Sequence, residues 1–427
     1  MNNILTVLQT LLEEFREKIS VFEIGIDRGS LPKIAHKIIV TIGMRRTGKT
    51  HSLMQAIKNL LKEGVSIEQI LYINFEDDRL SPLTQEKLRQ LLDGFYSLYP
   101  ENHSKECYLF LDEIQTVEDW PLVIRRYFET KKVKIFLSGS SSKLLSKEIA
   151  TSLRGRSYAV EIWPYNFHEF LQAKEIAYPQ TLGKINLDKL TVLLRDYLKN
   201  GGFPEIVALP QPEIIENSRK ILQDYVAVVA LRDITERHHI TNVLPLHYLI
   251  NSLLRNTACL LSANKMHGDL KSQGFEIGKS AIYAYLSYIE DAYLAFATPI
   301  FSESIRKTHS NPRKFYAVDT GLANSYHIGF SENIGHYFEN LVYLDLRRAG
   351  HTIFYYLTQD RQEVDFCSQD RKGRWHLWQV CWNCEDVKTY TREMAALRAA
   401  EQELKITGKL ITPHSYFSEF LPSLQKH

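Results

Sequence analysis

A short stretch near the start of the chain, GMRRTGKT, has the spacing of a phosphate-binding loop. It matches G-x-x-x-x-G-K-[ST], with Gly43, Gly48, Lys49 and Thr50 at the defined places. In such a loop the glycines let backbone N–H groups turn towards the phosphates. The lysine reaches the β- and γ-phosphate oxygens and the hydroxyl ligates Mg²⁺. The residues expected to contact ATP are Gly43, Met44, Arg45, Arg46, Thr47, Gly48, Lys49, Thr50 and His51.

A second stretch, CYLFLDEIQ, reads as an apolar strand that ends in two carboxylates. At the carboxyl end of a parallel strand, Asp112 would lie beside the phosphate loop and join Thr50 in holding hydrated Mg²⁺. Glu113 is suited to orient or deprotonate the attacking water. The alternatives are that the two acids only end a strand, or that the loop serves a small-molecule kinase. The acidic pair favours hydrolysis.

Two further stretches offer groups for the transferred phosphate. VKIFLSGSSS ends in small polar residues, and Ser138 or Ser140 would donate a hydrogen bond to the γ-phosphate or the water, unless the segment is a simple turn. LRGR follows, and Arg154 or Arg156 would neutralise transition-state charge, from the same chain or from a neighbouring subunit. Arginines on a solvated surface are the ordinary alternative.

The elements that must position these groups alternate between apolar strands and helix-like stretches. The predicted strands are KIIVTIG, EQILYINFE, CYLFLDE and VKIFLSGS. This alternation predicts crossover connections and a mainly parallel sheet, which places all four strand ends at one edge. A long helical region, short helices with tight turns, a breaker-rich junction (NPRKFYAVDTGLANSY) and a final segment of helices and strands follow.

The order of the motifs resembles a known family. GMRRTGKT, YINFED, LFLDEIQ, LSGSSSKLL, LRGR, YNFHEFL, GGFPEI, RKFYAVDTGLANS, FEN and EVDF succeed one another along nearly the whole chain. Together they are similar to the prokaryotic ATPases of the AAA superclass that carry a C-terminal domain of unknown function. The resemblance implies an α/β fold. We expect a parallel-sheet AAA-type P-loop NTPase core (1–165), a helical lid (166–240), a winged-helix-like segment (241–312) and a restriction-endonuclease-like α/β domain (313–427).

The middle segment has the spacing of a helix-turn-helix, with Ser280 to Leu294 as the second helix. Lys265, Lys271 and Lys279 would meet DNA phosphates, and Tyr283 and Tyr285 would face a groove. Against contact with duplex DNA, the second helix also carries Glu290 and Asp291. Its aromatic spacing fits a buried face equally well.

A restriction-type nuclease needs an acid on a helix, an Asp on a strand, and an acid or Gln followed two residues later by Lys. Glu339, Asp365 and Gln379 occupy the matching places, but Cys381 stands where the lysine belongs. A thiol cannot stabilise negative charge as an ammonium does. The sequence therefore predicts a degenerate nuclease serving as a binding or assembly module, unless another lysine such as Lys388 reaches the site.

Composition sets the remaining limits. The 427 residues include 52 basic and 50 acidic side chains, so the chain as a whole is not a basic nucleic-acid binder. Apolar runs are too short for a spanning helix, and five cysteines are too few for a disulfide framework, which predicts a cytoplasmic protein without membrane contact. Cys381-x-x-Cys384 allows a zinc or redox role, or simple packing. The histidines show no metal-ligand spacing.

These observations predict a Mg²⁺-dependent ATPase that relays its nucleotide state to a C-terminal module, which binds a protein partner or a second copy. One alternative is a DNA-binding regulator or defence factor that uses ATP as a switch with very slow turnover. Another is an ATP-dependent nuclease that uses Asp365.

Overall fold

The computed structural model describes residues 2–139, 155–310 and 312–425. The chain divides into two units, Met1–Trp163 and Pro164–His427. Ser140 and Arg154, both candidate site residues, lie outside the described residues.

In the described part of the first unit, five parallel strands form one sheet in the order β2-β3-β4-β1-β5. The strands are β1 (Ile38–Ile42), β2 (Ile70–Asn74), β3 (Cys107–Asp112), β4 (Val133–Gly139) and β5 (Ser157–Glu161). Every residue of β1 and β3 is buried, as expected for strands covered on both faces by helices. The predicted parallel sheet and its four strands are confirmed. β5 was not predicted.

In the described residues of this unit, four helices accompany the sheet, together with short 3₁₀ turns. The helices are α1 (Asn2–Val21), α2 (Lys49–Lys62), α3 (Gln85–Leu98) and α4 (Trp120–Thr130), and the 3₁₀ turns are Ile67–Gln69, Asp78–Leu80, Pro100–His103 and Ile114–Thr116. α1 begins the chain and buries Phe15 and Ile19 in the same cluster as Leu53 of α2. The amphipathic helix α1 is therefore part of the core of this unit.

The second unit opens with helices and a small antiparallel sheet of order β6-β8-β7. The helices are α5 (Phe167–Ala173), α6 (Lys184–Asn200), α7 (Pro204–Ala208), α8 (Gln211–Val228, continued by the π-helical turns Val229–Glu236), α9 (Leu244–Arg255), α10 (Ala263–Ser272), α11 (Lys279–Asp291), α12 (Ile305–Ser310) and α13 (Thr320–Asn324). The strands are β6 (Cys259–Leu261), β7 (Ala295–Thr298) and β8 (Arg313–Ala317).

The stretch predicted as a breaker-rich junction contains β8 and α13, so that prediction is wrong. β8 is the middle strand of the small sheet, and its Phe315 and Tyr316 are buried. The next carboxylate, Asp319, accepts hydrogen bonds from the backbone N–H groups of Gly202 (2.7 Å) and Leu322 (2.9 Å). Because β8 pairs with β6 and β7, the boundary expected between residues 312 and 313 falls at the edge of a strand that belongs to the preceding sheet.

The last part of the second unit is a four-stranded sheet of order β12-β11-β10-β9, in which only β11 and β12 are parallel. Its elements are α14 (Ile334–Arg348), β9 (Thr352–Leu357), β10 (Glu363–Gln369), β11 (Trp375–Val380), α15 (Val387–Leu404), β12 (Gly408–Ile411) and the helical turns Pro413–Ser415, Tyr416–Phe420 and Leu421–Gln425. In the part of the chain that the structure describes, none of the helices combines the length and apolarity that crossing a bilayer requires.

Candidate active site

The GMRRTGKT loop connects β1 to α2, and two glycines allow its tight course. Gly43 has φ +148° and Gly48 has φ +99°, both in the region that side chains disfavour. A Cβ atom at Gly43 would lie 2.2 Å from the carbonyl oxygen of Ile162, so no other residue fits without moving the backbone. The loop therefore has the backbone course and the strand–helix context of a phosphate-binding loop.

The ammonium of Lys49 lies inside this loop, and the residue is 5% exposed. It donates hydrogen bonds to the carbonyl oxygens of Gly43 (3.1 Å) and Met44 (3.0 Å). The hydroxyl of Thr47 donates to the same Met44 oxygen (2.9 Å), which closes the turn. Lys49 is thus held at the position from which such a lysine reaches phosphate oxygens.

Asp112 lies at the carboxyl end of β3 and gathers three hydroxyl groups. Its carboxylate accepts hydrogen bonds from Thr50 (2.7 Å), from Tyr72 (3.0 Å) and from Ser138. The strand order explains why these groups lie close together. β4 lies between β1 and β3, and the carboxyl ends of all three parallel strands lie at the same edge of the sheet. Hydroxyl and carboxylate oxygens are hard ligands that suit Mg²⁺, which usually keeps several waters and takes one or two carboxylates plus phosphates.

Glu113 follows Asp112 in the left-handed region (φ 53°) and is 8% exposed. Its N–H donates to the hydroxyl of Ser138 (2.9 Å), and the amide of Gln115 donates to its carboxylate. Burial raises the pKa of Glu113, although the nearby Lys49 ammonium acts in the opposite direction. A raised pKa brings a carboxylate closer to the range in which it works as a base near neutral pH.

Two further residues that were predicted to act on the transferred phosphate, Ser138 and Arg156, have other partners in the structure. Ser138 is engaged by Asp112 and by the backbone of Glu113, so it ties the ends of β3 and β4 together. Arg156 precedes β5, and its carbonyl accepts from the N–H of Ile38 at the amino end of β1. Its guanidinium pairs with Glu129 (2.9 Å). The loop begins at the opposite end of β1, so the expected action of Arg156 on its own chain's phosphates does not fit the structure.

Arg28, which no motif indicated, supports the loop from outside. Its guanidinium donates hydrogen bonds to the carbonyl oxygens of Thr47 (2.7 Å) and Trp163 (2.7 Å). Gln55 of α2 holds the same segment by accepting from the backbone N–H of Arg28 (3.3 Å). The residue lies 15 positions before Gly43 in a stretch without recognisable spacing, so only the fold brings it to the loop.

The remaining loop residues face outward or towards the segment after α1. Arg45 pairs with Glu76 (3.0 Å), which follows β2. The ring of His51 lies 5.1 Å from that of Phe22, and burial lowers the pKa of His51. In the described residues, no group of three or more His, Cys, Asp or Glu side chains is arranged to hold a metal ion.

In the second unit the structure brings together the three residues of the predicted nuclease-like site. Glu339 of α14 and Asp365 of β10 both contact one ammonium. The side-chain oxygen of Gln379 on β11 accepts from the N–H of Asp365 (3.3 Å). Burial, together with the neighbouring Asp365, raises the pKa of Glu339 to about 8.

The ammonium belongs to Lys314 of β8, which corrects the expectation that this cluster lacks a lysine. Its Nζ lies 2.7 Å from Glu339, 3.0 Å from Asp365 and 2.5 Å from Glu363. Burial opposes its charge, but the three carboxylates raise its pKa well above the usual value. Sequence spacing could not reveal this group, because it comes from a different sheet than the expected position.

Two other expectations for this domain concern the Cys381–Cys384 pair and Lys388. Cys381 occupies the expected lysine position, is buried, and forms a disulfide with Cys384 across a Cα–Cα distance of 5.9 Å. Lys388 lies exposed in the first turn of α15.

In the helix-turn-helix stretch, Lys265 and Lys271 of α10 and Lys279 of α11 are exposed, as is Tyr283. One carboxylate of α11 turns to the protein instead. The carboxylate of Glu290 accepts from the N–H of Ala297 on β7 (3.3 Å), and burial raises its pKa. The ring of Tyr285 lies 6.3 Å from that of Tyr288. Glu290 therefore does not add negative charge to the exposed face of α11.

Comparisons with known proteins agree with this architecture. Residues 35–171 match the model of an AAA domain, and residues 191–333 match a domain of unknown function (DUF8612). The protein MJ1544 of Methanocaldococcus jannaschii is 37% identical over 385 residues, which cover 89% of this chain and 82% of that protein. A protein of Haemophilus influenzae is 29% identical over 374 residues, covering 87% and 89%.

Among solved structures, the Walker-type ATPase paby2304 of Pyrococcus abyssi is similar at a TM-score of 0.42 and 14% identity. The match covers 75% of this chain and 95% of that one. The parallel sheet, the loop between β1 and α2, and the matched AAA domain together establish the AAA-type P-loop fold. The chain carries an AAA domain with a P-loop and belongs to the same family as MJ1544 of M. jannaschii.

Proposed function

We propose that the protein binds Mg²⁺-ATP at the GMRRTGKT loop and hydrolyses it. The observation that carries the proposal is the 2.7 Å hydrogen bond between Thr50 and Asp112, with Lys49 and Glu113 at the same sheet edge. Four side chains of the required types meet there, two from the start of α2 and two from the end of β3.

Each group has a role that follows from its chemistry. Lys49 exchanges the carbonyl oxygens of Gly43 and Met44 for β- and γ-phosphate oxygens. Thr50 and Asp112 would hold Mg²⁺, which neutralises charge on the phosphates when bound. Glu113 takes one proton from the water whose oxygen adds to the γ-phosphorus, while the bond to the β-phosphate oxygen breaks.

The test separates binding from hydrolysis. Lys49→Ala removes the ammonium that meets the phosphates, so binding of a fluorescent ATP analogue is expected to be lost. Glu113→Gln keeps the shape of the site and should bind normally while turnover falls by roughly 10²–10⁴-fold. Normal hydrolysis by Glu113→Gln would refute the assignment of the base. Arg156 lies at the end of β1 that is opposite to the phosphate loop. Arg156 would therefore act on this site only from a neighbouring subunit.

The proposal extends to how the energy is used. Residues 166–240 would act as a lid, and 241–312 with β8 as a winged helix, since α9, α10 and α11 accompany a three-stranded antiparallel sheet. Residues after β8 would form the module that receives the nucleotide state and binds a protein partner or a second copy.

A second candidate, an ATP-switched DNA-binding regulator with slow turnover, is favoured by the exposed lysines of α10 and α11. Lys265, Lys271 and Lys279 are exposed, as is Tyr283, a pattern that suits phosphate contacts beside a stacking side chain. Changing the three lysines to Gln should reduce the salt-dependence slope of duplex binding by about 1 for each lysine that meets a phosphate. An unchanged slope would argue against this surface.

A further inference from the structure

The disulfide between Cys381 and Cys384 lies in the second unit, between a strand and a helix. Cys381 directly follows β11, and Cys384 lies three residues before the start of α15. Among the described residues the other cysteines are free thiols, namely Cys107, Cys259 and Cys367. One short C-x-x-C bridge beside three free thiols is not a disulfide framework. Pairs with this spacing are typical of thiol–disulfide exchange.

The elements on both sides of the bridge are held by other bonds. The N–H of Cys381 donates to the carbonyl oxygen of Ile411 (2.9 Å), which continues the pairing of β11 with β12. Asp386 caps α15 by accepting a hydrogen bond from the N–H of Thr389 (3.1 Å). The disulfide spans a sequence separation of three, and a disulfide stabilises a fold least when the loop it closes is short. Opening the bridge should therefore leave β11 and α15 in place.

The two sulfur atoms differ in their access to solvent. Cys381 is buried, with 4% of the residue exposed. Cys384 is half-buried, and its neighbours Asn383 and Glu385 are exposed. The course of thiol–disulfide exchange depends on which sulfur an incoming thiolate can reach. A thiolate from solvent is therefore expected to attack Cys384, with Cys381 as the leaving group.

The residues between the two cysteines form part of the wall of a cavity of about 860 Å³. Cys381, Trp382 and Asn383 all line this cavity. The ring of Trp382 packs edge to face on that of Phe338 on α14, with 5.4 Å between the ring centroids. Because the bridge fixes both ends of the Trp382–Asn383 dipeptide, it restricts where the indole lies on the cavity wall.

We propose that Cys381 and Cys384 form a reversible thiol–disulfide site, which small thiols open and small disulfides close. The state of this site determines how firmly Trp382 is held on the cavity wall. In the reduced form, the residues between Cys381 and the helix cap at Asp386 gain backbone freedom. The proposal does not rest on ATP hydrolysis at the phosphate loop.

The reaction is a two-electron exchange in two steps. The thiolate of one small thiol attacks the sulfur of Cys384, the S–S bond breaks, and Cys381 leaves as a thiolate that takes up a proton. A second small thiolate attacks the small thiol's sulfur in this mixed disulfide, and Cys384 leaves as a thiolate that takes up a proton. The protein disulfide is reduced to two thiols, and two small thiols are oxidised to one disulfide. The reverse steps close the bridge.

The test equilibrates the full chain in buffers of reduced and oxidised glutathione at graded ratios. Free thiols are then blocked by alkylation in denaturant, and mass spectrometry gives the fraction of chains alkylated at both Cys381 and Cys384. This fraction should rise from near zero to near one within the graded range, because exchangeable disulfides respond to the glutathione couple and structural ones resist it.

Two variants serve as controls for this titration. Cys384→Ser should lose the transition, because Cys381 then has no partner with which to form the bridge. Should Cys384→Ser fail to fold, Cys384→Ala removes the same sulfur. Cys259→Ser is a matched change of another half-buried cysteine and should leave the transition at the same ratio.

Quenching of tryptophan fluorescence by acrylamide tests whether Trp382 responds to the bridge. Reduction should increase the quenching in the wild type. Trp382→Phe, which keeps an aromatic ring beside Phe338, should lose that increase. Unchanged quenching of the wild type on reduction would overturn the effect on the cavity wall.

Two results of the titration would overturn the proposal as a whole. A bridge that stays closed at every ratio would be a permanent structural disulfide. Cysteines that stay alkylated at every ratio would show that the bridge does not form. Neither result affects the assignment of ATP hydrolysis, which is measured with Lys49→Ala and Glu113→Gln.

Discussion

Arg28 offers a sensitive test of how the phosphate loop is held. In Arg28→Met the loop loses the hydrogen bond to the Thr47 carbonyl, and the segment after β5 loses the bond to the Trp163 carbonyl. Both bonds are 2.7 Å long and their donor is charged, a class worth about 1.5–3 kcal/mol each. Methionine keeps much of the apolar stem, so the change removes the bonds rather than the packing.

Only the Thr47 bond acts directly on the loop, and Arg28 is partly exposed, so the lower end of that range applies. About 1.5 kcal/mol corresponds to roughly a tenfold weaker ATP affinity. The turnover number should change by less than about twofold, because Arg28 supports the loop through the Thr47 carbonyl and has no part in the proposed chemistry. The assay is titration with a fluorescent ATP analogue beside steady-state hydrolysis.

Two variants serve as controls. Arg28→Lys keeps the charge but reaches one carbonyl at most, so its affinity should lie between those of the wild type and Arg28→Met. Arg89→Met removes a partly exposed arginine whose pair with Glu86 lies within α3 and should leave affinity unchanged. Wild-type affinity in Arg28→Met would refute the support role. Unchanged affinity with a large fall in turnover would indicate that Arg28 takes part in the hydrolysis step and does not support the loop.

Further predictions concern two glycine substitutions and the pKa values of two carboxyl groups. Gly43→Ala should destabilise the fold by several kcal/mol, because its Cβ would meet a backbone carbonyl at 2.2 Å. Gly64→Ala, also at positive φ but with open space, should cost only about 1–2 kcal/mol in denaturant unfolding. Burial raises the pKa of Asp319 to about 6, so its contribution to the free energy of unfolding is present below its unfolded pKa and lost as the pH rises through 6. Asp319→Asn should abolish that dependence in unfolding curves measured between about pH 4 and 7. Glu113 must be ionised to act as a base, so ATP turnover should fall as the pH drops through its raised pKa. The hydrogen bond from Gln115 lowers this pKa, so Gln115→Leu should move the acid limb of the turnover–pH profile to higher pH. An acid limb that stays in place would contradict this role of the amide.

Features defined by short spacing were predictable from the sequence. The phosphate loop is recognised because its glycines and lysine stand within eight residues, and Asp112 because an apolar strand ends at it. The parallel sheet followed from the alternation of strands and helices. β5 was missed because it is only partly buried, so its sequence lacks the apolar run of the other strands.

Features that depend on the meeting of distant segments were not predictable. Arg28 reaches the nucleotide site from a loop without a distinctive pattern, and nothing in the predicted strand β2 marks Tyr72 as a partner of Asp112. Lys314 reaches the acidic cluster from β8, in a stretch whose proline and glycine suggested a junction. Glu290 suggested an obstacle to DNA contact, yet its carboxylate turns to the backbone of β7. Register and side-chain direction decide each of these cases, and composition carries neither.

Release of phosphate from Mg²⁺-ATP by the purified protein tests the central claim most directly. The wild type should release phosphate over many turnovers, and Glu113→Gln, which retains the site and loses the base, should bind ATP with little release. Adding duplex DNA shows whether the middle segment stimulates turnover. Equal phosphate release by the wild type and Glu113→Gln would contradict the account, because hydrolysis would then not depend on the site built from Lys49, Thr50, Asp112 and Glu113.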